Sequence, residues 1–426
     1  MSKLSLAFCA SSSPAAFVCF SALLAGSAGC DYAIEGEKRL TSLRVLLSSP
    51  KMNELGTPTN PQVVKTLVFD VEALDEHGLL QPVTTPVDTF LETGGTRLSL
   101  VDPCATTPSS TDQPWLLSRL MLKDGRVLGT TLNLSSPAIF GRLTLNLEEP
   151  QSQAVGATAP IYFPNPTIPL LMKPLNVDAQ NASYCSPYLN RQVVVDHGTD
   201  QVDKPGKVVV SSLFQNALAV SDTGATDYGS MYVFTFSQPS NKLKVGTVLT
   251  RVSGAVAKFN GMTQIANPTL TPSDEVRTDL VPAPVLLDKM RLPDNGTTNQ
   301  PNNKWLTKYI AAPAKITGIV CEVVNDQNRK DNWAKYNTVV INLVDNDPAS
   351  VAGCSPGSSF SFKYFSVQLP GKGFAGFDPA LLAGTEATFV GMLQNGASKS
   401  GKTLFWTVVV RDAGDVCLLP KAQCQI

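Results

Sequence analysis

Charge is scarce in this chain of 426 residues: Asp, Glu, Lys and Arg together make up 16% of it, against about 25% in an average soluble domain. The 34 basic and 35 acidic residues nearly cancel, which argues against a broad nucleic-acid surface, an acidic tail or a polybasic membrane patch. Histidine occurs twice, at His77 and His197, and there is no CxxC pair. Zinc-ligand spacings therefore have nothing to draw on. A nucleophile elbow, a P-loop, a dinucleotide Gly-loop and HExxH are also missing. No amphipathic helical period runs for three turns or more. The expectation is a protein that is not an enzyme, with no catalytic residues, no metal and no cofactor.

What the chain does contain is short runs of Val, Leu, Thr and aromatic residues, broken by 31 prolines and 30 glycines. Such punctuation favours strands and turns over helices. The length suggests two to four domains.

The first 29 residues have the order of a secretory signal: basic Lys3, an apolar core over Ala15–Ala25, then small residues at Ser27, Ala28 and Gly29. The core is too short to span a membrane, which takes about 20 apolar residues. Cys30 follows at once. This resembles the bacterial lipobox, although Ser27 stands where that family usually has Leu. The resemblance implies acylation of Cys30, a new N-terminus there, and anchoring to the inner or outer membrane of a bacterial envelope. Each buried acyl CH₂ would add about 0.8 kcal/mol to that attachment. Asp31, next to the lipid, can mean inner-membrane retention in the lipoprotein family. An ordinary signal peptide cut near Ala28 is the alternative. Cys9 and Cys19 leave with the signal in either case.

Six cysteines then remain: Cys104, Cys185, Cys321, Cys354, Cys417 and Cys424. An even number in an exported chain reads as disulfides. Two lie in the N-terminal half and four near the C-terminus, so the expected partition is Cys104–Cys185 plus two bridges among the last four.

Residues 30–165 read as a β-sandwich. Strands are expected at Leu43–Leu47, Thr66–Leu74, Val87–Leu91, Leu117–Leu122 and Arg142–Leu147, with Lys123-Asp124-Gly125 joining a hairpin of 117–122 and 127–134. The string VFDVEALDEHGLL resembles the strand–turn–strand of bacterial Ig-like domains. His77 falls in its turn and is expected to be solvated. Residues 166–204 form a proline-rich connector, where Asp196-His197-Gly198-Thr199-Asp200 has the look of an acid–base cluster. A strand running into a turn produces the same string, and that is the expectation here.

Residues 205–275 carry the most specific pattern. LKVGTVLTRVSGAVAKFNGMTQI resembles the OB-fold modules found beside secreted bacterial nucleases, with their L-x-x-G turn, Gly-containing strand and F/Y-N-G-x-T-Q hairpin. Gly254 is expected at a barrel bend. After a polar linker over 276–312, residues 313–426 repeat the order with longer loops. Leu381–Thr385 matches the L-x-x-G-T spacing of Leu243–Thr247, and Gly391 stands where Gly254 does. A further sandwich is the alternative for this last module. The fold class is thus all-β: an Ig-like sandwich followed by two OB-like barrels.

An OB fold binds ligands across a strand face flanked by its first and fourth loops. In the last module these read NDQNRKDNWAKY and QNGASKSGK. They offer Arg329, Lys330, Trp333, Lys335, Tyr336, Lys399 and Lys402, basic groups beside a ring, as suits a sugar, a base or an acidic protein patch. The alternative is that Trp333 packs its loop down and the lysines are ordinary surface. Asp345-Asn346-Asp347 reads as a solvated loop. The functional expectation is a lipid-anchored envelope protein that binds or scaffolds a protein or glycan partner. The alternative is an accessory to extracellular nucleic-acid degradation, although a near-neutral module makes nucleic acid an unfavoured partner.

Overall fold

The computed structural model describes residues 39–426 apart from 59, 62–64, 105–112, 176–184, 201–204, 260, 288–302, 322–326, 344–363, 372–373, 398–403, 419–422 and 425. The signal, Cys30, Cys354, Lys399, Lys402 and Asp345-Asn346-Asp347 lie outside the described residues.

The fold is all-β, as the sequence predicts. The sandwich comprises β1 (Ser42–Ser49), β2 (Thr66–Leu74), β3 (Pro86–Thr93), β4 (Thr96–Arg97), β5 (Leu116–Met121), β6 (Arg126–Asn133), β7 (Gly141–Glu148), β8 (Val155–Ala157) and β9 (Ile161–Phe163). Strand order is β4-β3-β7-β8-β1-β2-β6, with β5 also on β3 and β9 also on β7. Alternation explains the core. In β2, Leu67, Phe69, Val71 and Ala73 turn inward, and in β7 Leu143, Leu145 and Leu147 do the same. These residues share one cluster with Val87, Leu91, Ile161 and Phe163. Full burial of each large side chain contributes about 1.5–3 kcal/mol.

Two local readings of this sandwich come out differently. The turn at His77 forms as expected, with Asp75 Oδ1 accepting the His77 and Leu79 amides at 2.9 Å each. The turn at 123–126 forms too, but its flanking strands do not pair as a hairpin. β5 goes to β3 and β6 goes to β2. The turn is instead held by its neighbours: the Gly125 amide donates to Val83 O and its carbonyl accepts from Ala73 N, both at 2.8 Å. Turn chemistry is local, and the choice of partner strand belongs to the two sheets.

The connector contains α1 (Ile168–Met172) and β10 (Gln192–Val195), and β10 pairs antiparallel with the first barrel. That barrel comprises β11 (Val208–Leu213), β12 (Ala217–Asp222), β13 (Ser230–Phe234), β14 (Thr247–Phe259) and β15 (Met262–Val276). The pairings β11–β12, β12–β13, β13–β15, β15–β14 and β14–β11 close a ring, with β13–β15 parallel. At Gly254 the β14–β15 register shifts, and an added Cβ would stand 2.6 Å from Ile265 Cγ2. Only a glycine lets the strands cross so closely there.

The segment between the barrels holds β16 (Val285–Leu287) and α2 (Asn303–Thr307). The second barrel has β17 (Pro313–Val320), α3 (Gln327–Tyr336), β18 (Thr338–Asn342), β19 (Tyr364–Gln368), α4 (Pro379–Leu382), β20 (Glu386–Ala397), β21 (Leu404–Val409) and the short β22 (Val416–Cys417). Strands β17 to β21 close in the same order as the first ring, with β19–β21 parallel. The repeated L-x-x-G-T turn repeats in geometry. Gly246 and Gly384 sit at φ +89° and +79°, and Thr247 and Thr385 donate their amides to Lys244 O and Leu382 O.

One apolar cluster runs through both barrels, from Ile168 to Val410. Polar contacts join them as well: Tyr228 N to Lys308 O at 2.8 Å, Lys308 Nζ to Asp227 at 2.7 Å, and Asn395 Nδ2 to Gly261 O at 3.2 Å. The last contact corrects the reading of Asn395 and Gly396 as part of the loop QNGASKSGK. β20 continues through both residues, which pair with Trp406 and Phe405, and Asn395 is buried. The disulfide Cys104–Cys185 forms as expected, Cys417–Cys424 falls within the last four cysteines, and Cys321 is also disulfide-bonded. They place the chain in an oxidising compartment such as the periplasm or the exterior. Among the described residues, no helix is long and apolar enough to cross a membrane.

Candidate functional site

An open cleft of about 890 Å³ lies between the sandwich and the first barrel, within the size range of small-ligand sites. Its sandwich wall comes from β7 and β9. Arg142 and Tyr162 are direct cross-strand partners, so both side chains stand on the outer face, while Leu143 and Ile161 fill the core. The opposite wall comes from β10 and β14. Alternation along β10 buries Val193 and Val195 in the barrel and leaves Gln192 and Val194 to the cleft. Arg251 projects from β14.

The floor carries the motif that resembles an acid–base cluster. Asp196 Oδ1 lies 2.7 Å from His197 Nδ1, and Asp196 Oδ2 accepts from Asn165 Nδ2 at 2.8 Å. The hydrogen bond to Asp196 holds the His197 imidazolium above the ordinary histidine range, against the opposing cost of burial. The same bond holds the Asp196 carboxyl below its ordinary value. This loop is fixed from beneath. Asp222, buried in the barrel, accepts the Thr199 amide at 2.8–2.9 Å, the Thr199 hydroxyl at 2.8 Å and the Gly224 amide at 2.9 Å.

Further contacts tie the two walls. The Cys104–Cys185 bridge joins a sandwich loop to the connector. Arg191 donates to Ser99 O at 2.9 Å, and the rings of Phe140 and Tyr188 meet at 5.5 Å. The cleft is therefore held open by a disulfide and by packing. Among the described residues, no serine, threonine or cysteine is hydrogen-bonded to His197. The pair is equipped to hold a charge.

The rim read from the second barrel has a different character. Residues 327–336 form α3 rather than an irregular loop. Gln327 Nε2 donates to Asp331 at 2.6 Å one turn on. The helix ends where Asn337 takes φ +53° and its amide donates to Trp333 O at 3.1 Å. Arg329 and Trp333 share one face four residues apart. Arg329 is buried, and the Trp333 ring is half-buried, 6.1 Å from Phe377. Lys330, Lys335 and Tyr336 are exposed, with Lys335 Nζ 5.1 Å from the Tyr336 ring centre. The helix thus displays two lysines and a tyrosine and turns Trp333 towards the core.

The cleft residues other than the 196–200 motif were not legible as a site. Arg142, Tyr162 and Arg251 lie in three strands with no sequence signal joining them.

No family model matches the chain, and no curated protein matches it. Among solved structures, it is similar to the dimeric latent PorU of Porphyromonas gingivalis at 10% identity and a TM-score of 0.16, over 87% of this chain. The chain spans about a third of the length of that PorU chain, 34%.

Proposed function

We propose that this protein is a non-enzymatic envelope lipoprotein, exported and anchored through a lipid on Cys30, that binds a protein or glycan partner. The observation that carries the binding role is the cleft, whose two walls are held by the Cys104–Cys185 bridge and whose floor is fixed by Asp222. A preformed site lowers the ordering cost of binding. The disulfides support export. Replacing Cys30 with Ala should move the protein from the membrane to the soluble fraction and abolish labelling by a fatty-acid analogue. Equal labelling of the two proteins would remove lipidation at this residue. Capture of envelope proteins and glycans by the wild type, but not by a chain with a filled cleft (Gln192→Trp), tests the binding role.

A second reading, accessory to extracellular nucleic-acid degradation, is favoured by one observation: both barrels have the complete OB strand order, an architecture that binds oligonucleotides in many proteins. Micromolar or tighter binding of single-stranded DNA in physiological salt would support it over the first.

A further inference from the structure

The guanidinium groups of this molecule divide sharply. Arg44, Arg97, Arg119, Arg126, Arg277 and Arg411 are all paired with carboxylates. Arg191 is bonded to a carbonyl, and Arg329 is engaged as well. The side chains of three described arginines make no hydrogen bond or ion pair with any described residue: Arg39, Arg142 and Arg251. Two of these three line one cleft, from opposite walls. A planar fork of donors suits carboxylate and phosphate oxygens, which it grips with two parallel bonds.

The remaining lining narrows the ligand. Tyr162 offers a ring face beside Arg142, since the two are cross-strand neighbours. Gln192 offers amide donors and acceptors, and Asp200 offers an exposed carboxylate whose charge also acts on His197. Two guanidinium groups, with His197 already paired to Asp196, do not make the continuous positive track that a nucleic-acid backbone requires. They fit a chain in which single carboxylates are separated by hydroxyls. Asp200 and Gln192 suit the hydroxyls of such a chain, Tyr162 suits the face of a sugar ring, and the two arginines suit its carboxylates.

We propose that the cleft binds an acidic glycan, a uronic-acid-containing oligosaccharide, with Arg142 and Arg251 gripping its carboxylates. This deepens the binding reading above and rests on it. The test uses the purified full-length protein. Oligomers of galacturonic, glucuronic and mannuronic acid are titrated calorimetrically, each beside its carboxyl-reduced neutral form, with single-stranded DNA as a separate arm.

At least one acidic oligomer should bind, and its neutral form should bind at least tenfold more weakly. Arg142→Gln and Arg251→Gln should each weaken binding by about tenfold or more, as loss of a charge-assisted contact does. Both side chains are exposed and unbonded, so melting temperatures should not move, and Arg39→Gln should bind as the wild type does. Acidic oligomers that bind wild type and the double variant equally, or that do not bind at all, overturn the proposal. Neutral forms that bind as tightly as the acidic ones also overturn it, while leaving the cleft as a binding site. DNA binding that disappears in the double variant overturns both it and the glycan reading in favour of the nucleic-acid one.

Discussion

The two barrels share one strand order and use it in opposite ways. In the first, the loop between β11 and β12 spans only 214–216, no helix precedes β14, and the edge at β10 and β14 faces the sandwich across the cleft. In the second, α3 fills the corresponding first loop, α4 precedes β20, and β16 and β22 add strands to the ring. The first barrel adds only β10 to its ring and shares a cleft with the sandwich. The second carries its own decorations, and the tryptophan of α3, Trp333, packs inward against Phe377. A shared topology therefore does not by itself place a cleft; what docks against each barrel does.

The sharpest way to test this contrast is through the disulfides. Cys104–Cys185 closes a separation of 81 residues and ties the cleft walls, whereas Cys417–Cys424 closes only 7 within one module. By loop-closure entropy, loss of the first should cost about 4–5 kcal/mol and loss of the second about 2–3 kcal/mol. Urea unfolding of the two double-alanine variants measures both. Equal losses would mean that the long bridge does not organise the sandwich–barrel junction.

Asp222 comes next. Its carboxylate accepts three bonds from Thr199 and one from Gly224. Asp222→Ala should cost about 2–3 kcal/mol and release the 196–200 loop, seen as faster amide exchange at Thr199. In the second barrel, Asn395→Ala removes a single neutral bond to Gly261 O and should cost about 1 kcal/mol. If exchange at Thr199 is unchanged in Asp222→Ala, the cleft floor is held by something else.

Trp333→Ala asks which role the α3 face serves. Half-buried against Phe377, the ring should contribute about 1–2 kcal/mol of stability, below the loss at a fully buried aromatic. Ligand binding at the cleft should be unaffected. Unchanged stability with lost binding would make the rim of the second barrel the working surface instead.

The smallest effect is electrostatic. His197 is raised by its bond to Asp196, so its contribution is fully present below the ordinary histidine value of about 6.5 and is lost as pH rises through the folded value. Asp196 is depressed, so its contribution is lost as pH falls below the ordinary carboxylate range. The pair stabilises most between these limits. Both groups are more than a third exposed, which keeps the effect under about 1 kcal/mol. His197→Gln should flatten the alkaline side of the melting-temperature profile, and an unchanged slope would show that the imidazolium is not held.

Legibility in this chain followed the range of the interactions. Strand alternation in β2 and β7, the L-x-x-G-T turns and the Cys104–Cys185 bridge were readable because near neighbours, or a simple count, set them. The helix α3 was not, because its inward face is made of Arg329 and Trp333 rather than aliphatic residues, and no apolar period marks it. Asn395 and Gly396 read as part of a loop because that dipeptide disfavours a strand interior locally; inside β20 the Asn395 amide instead donates to a carbonyl of the other barrel, at Gly261.

By itself, the sequence determined the all-β class, the repeated barrel pattern and the oxidising compartment, since periodicity, turn residues and cysteine parity act over short range or by number. Only the tertiary structure decided that β5 and β6 part to different partners and that Arg142 and Arg251 share a cleft. Those outcomes depend on which sheet faces bury each other, and a guanidinium without a partner becomes visible only once the side chains around it are in place.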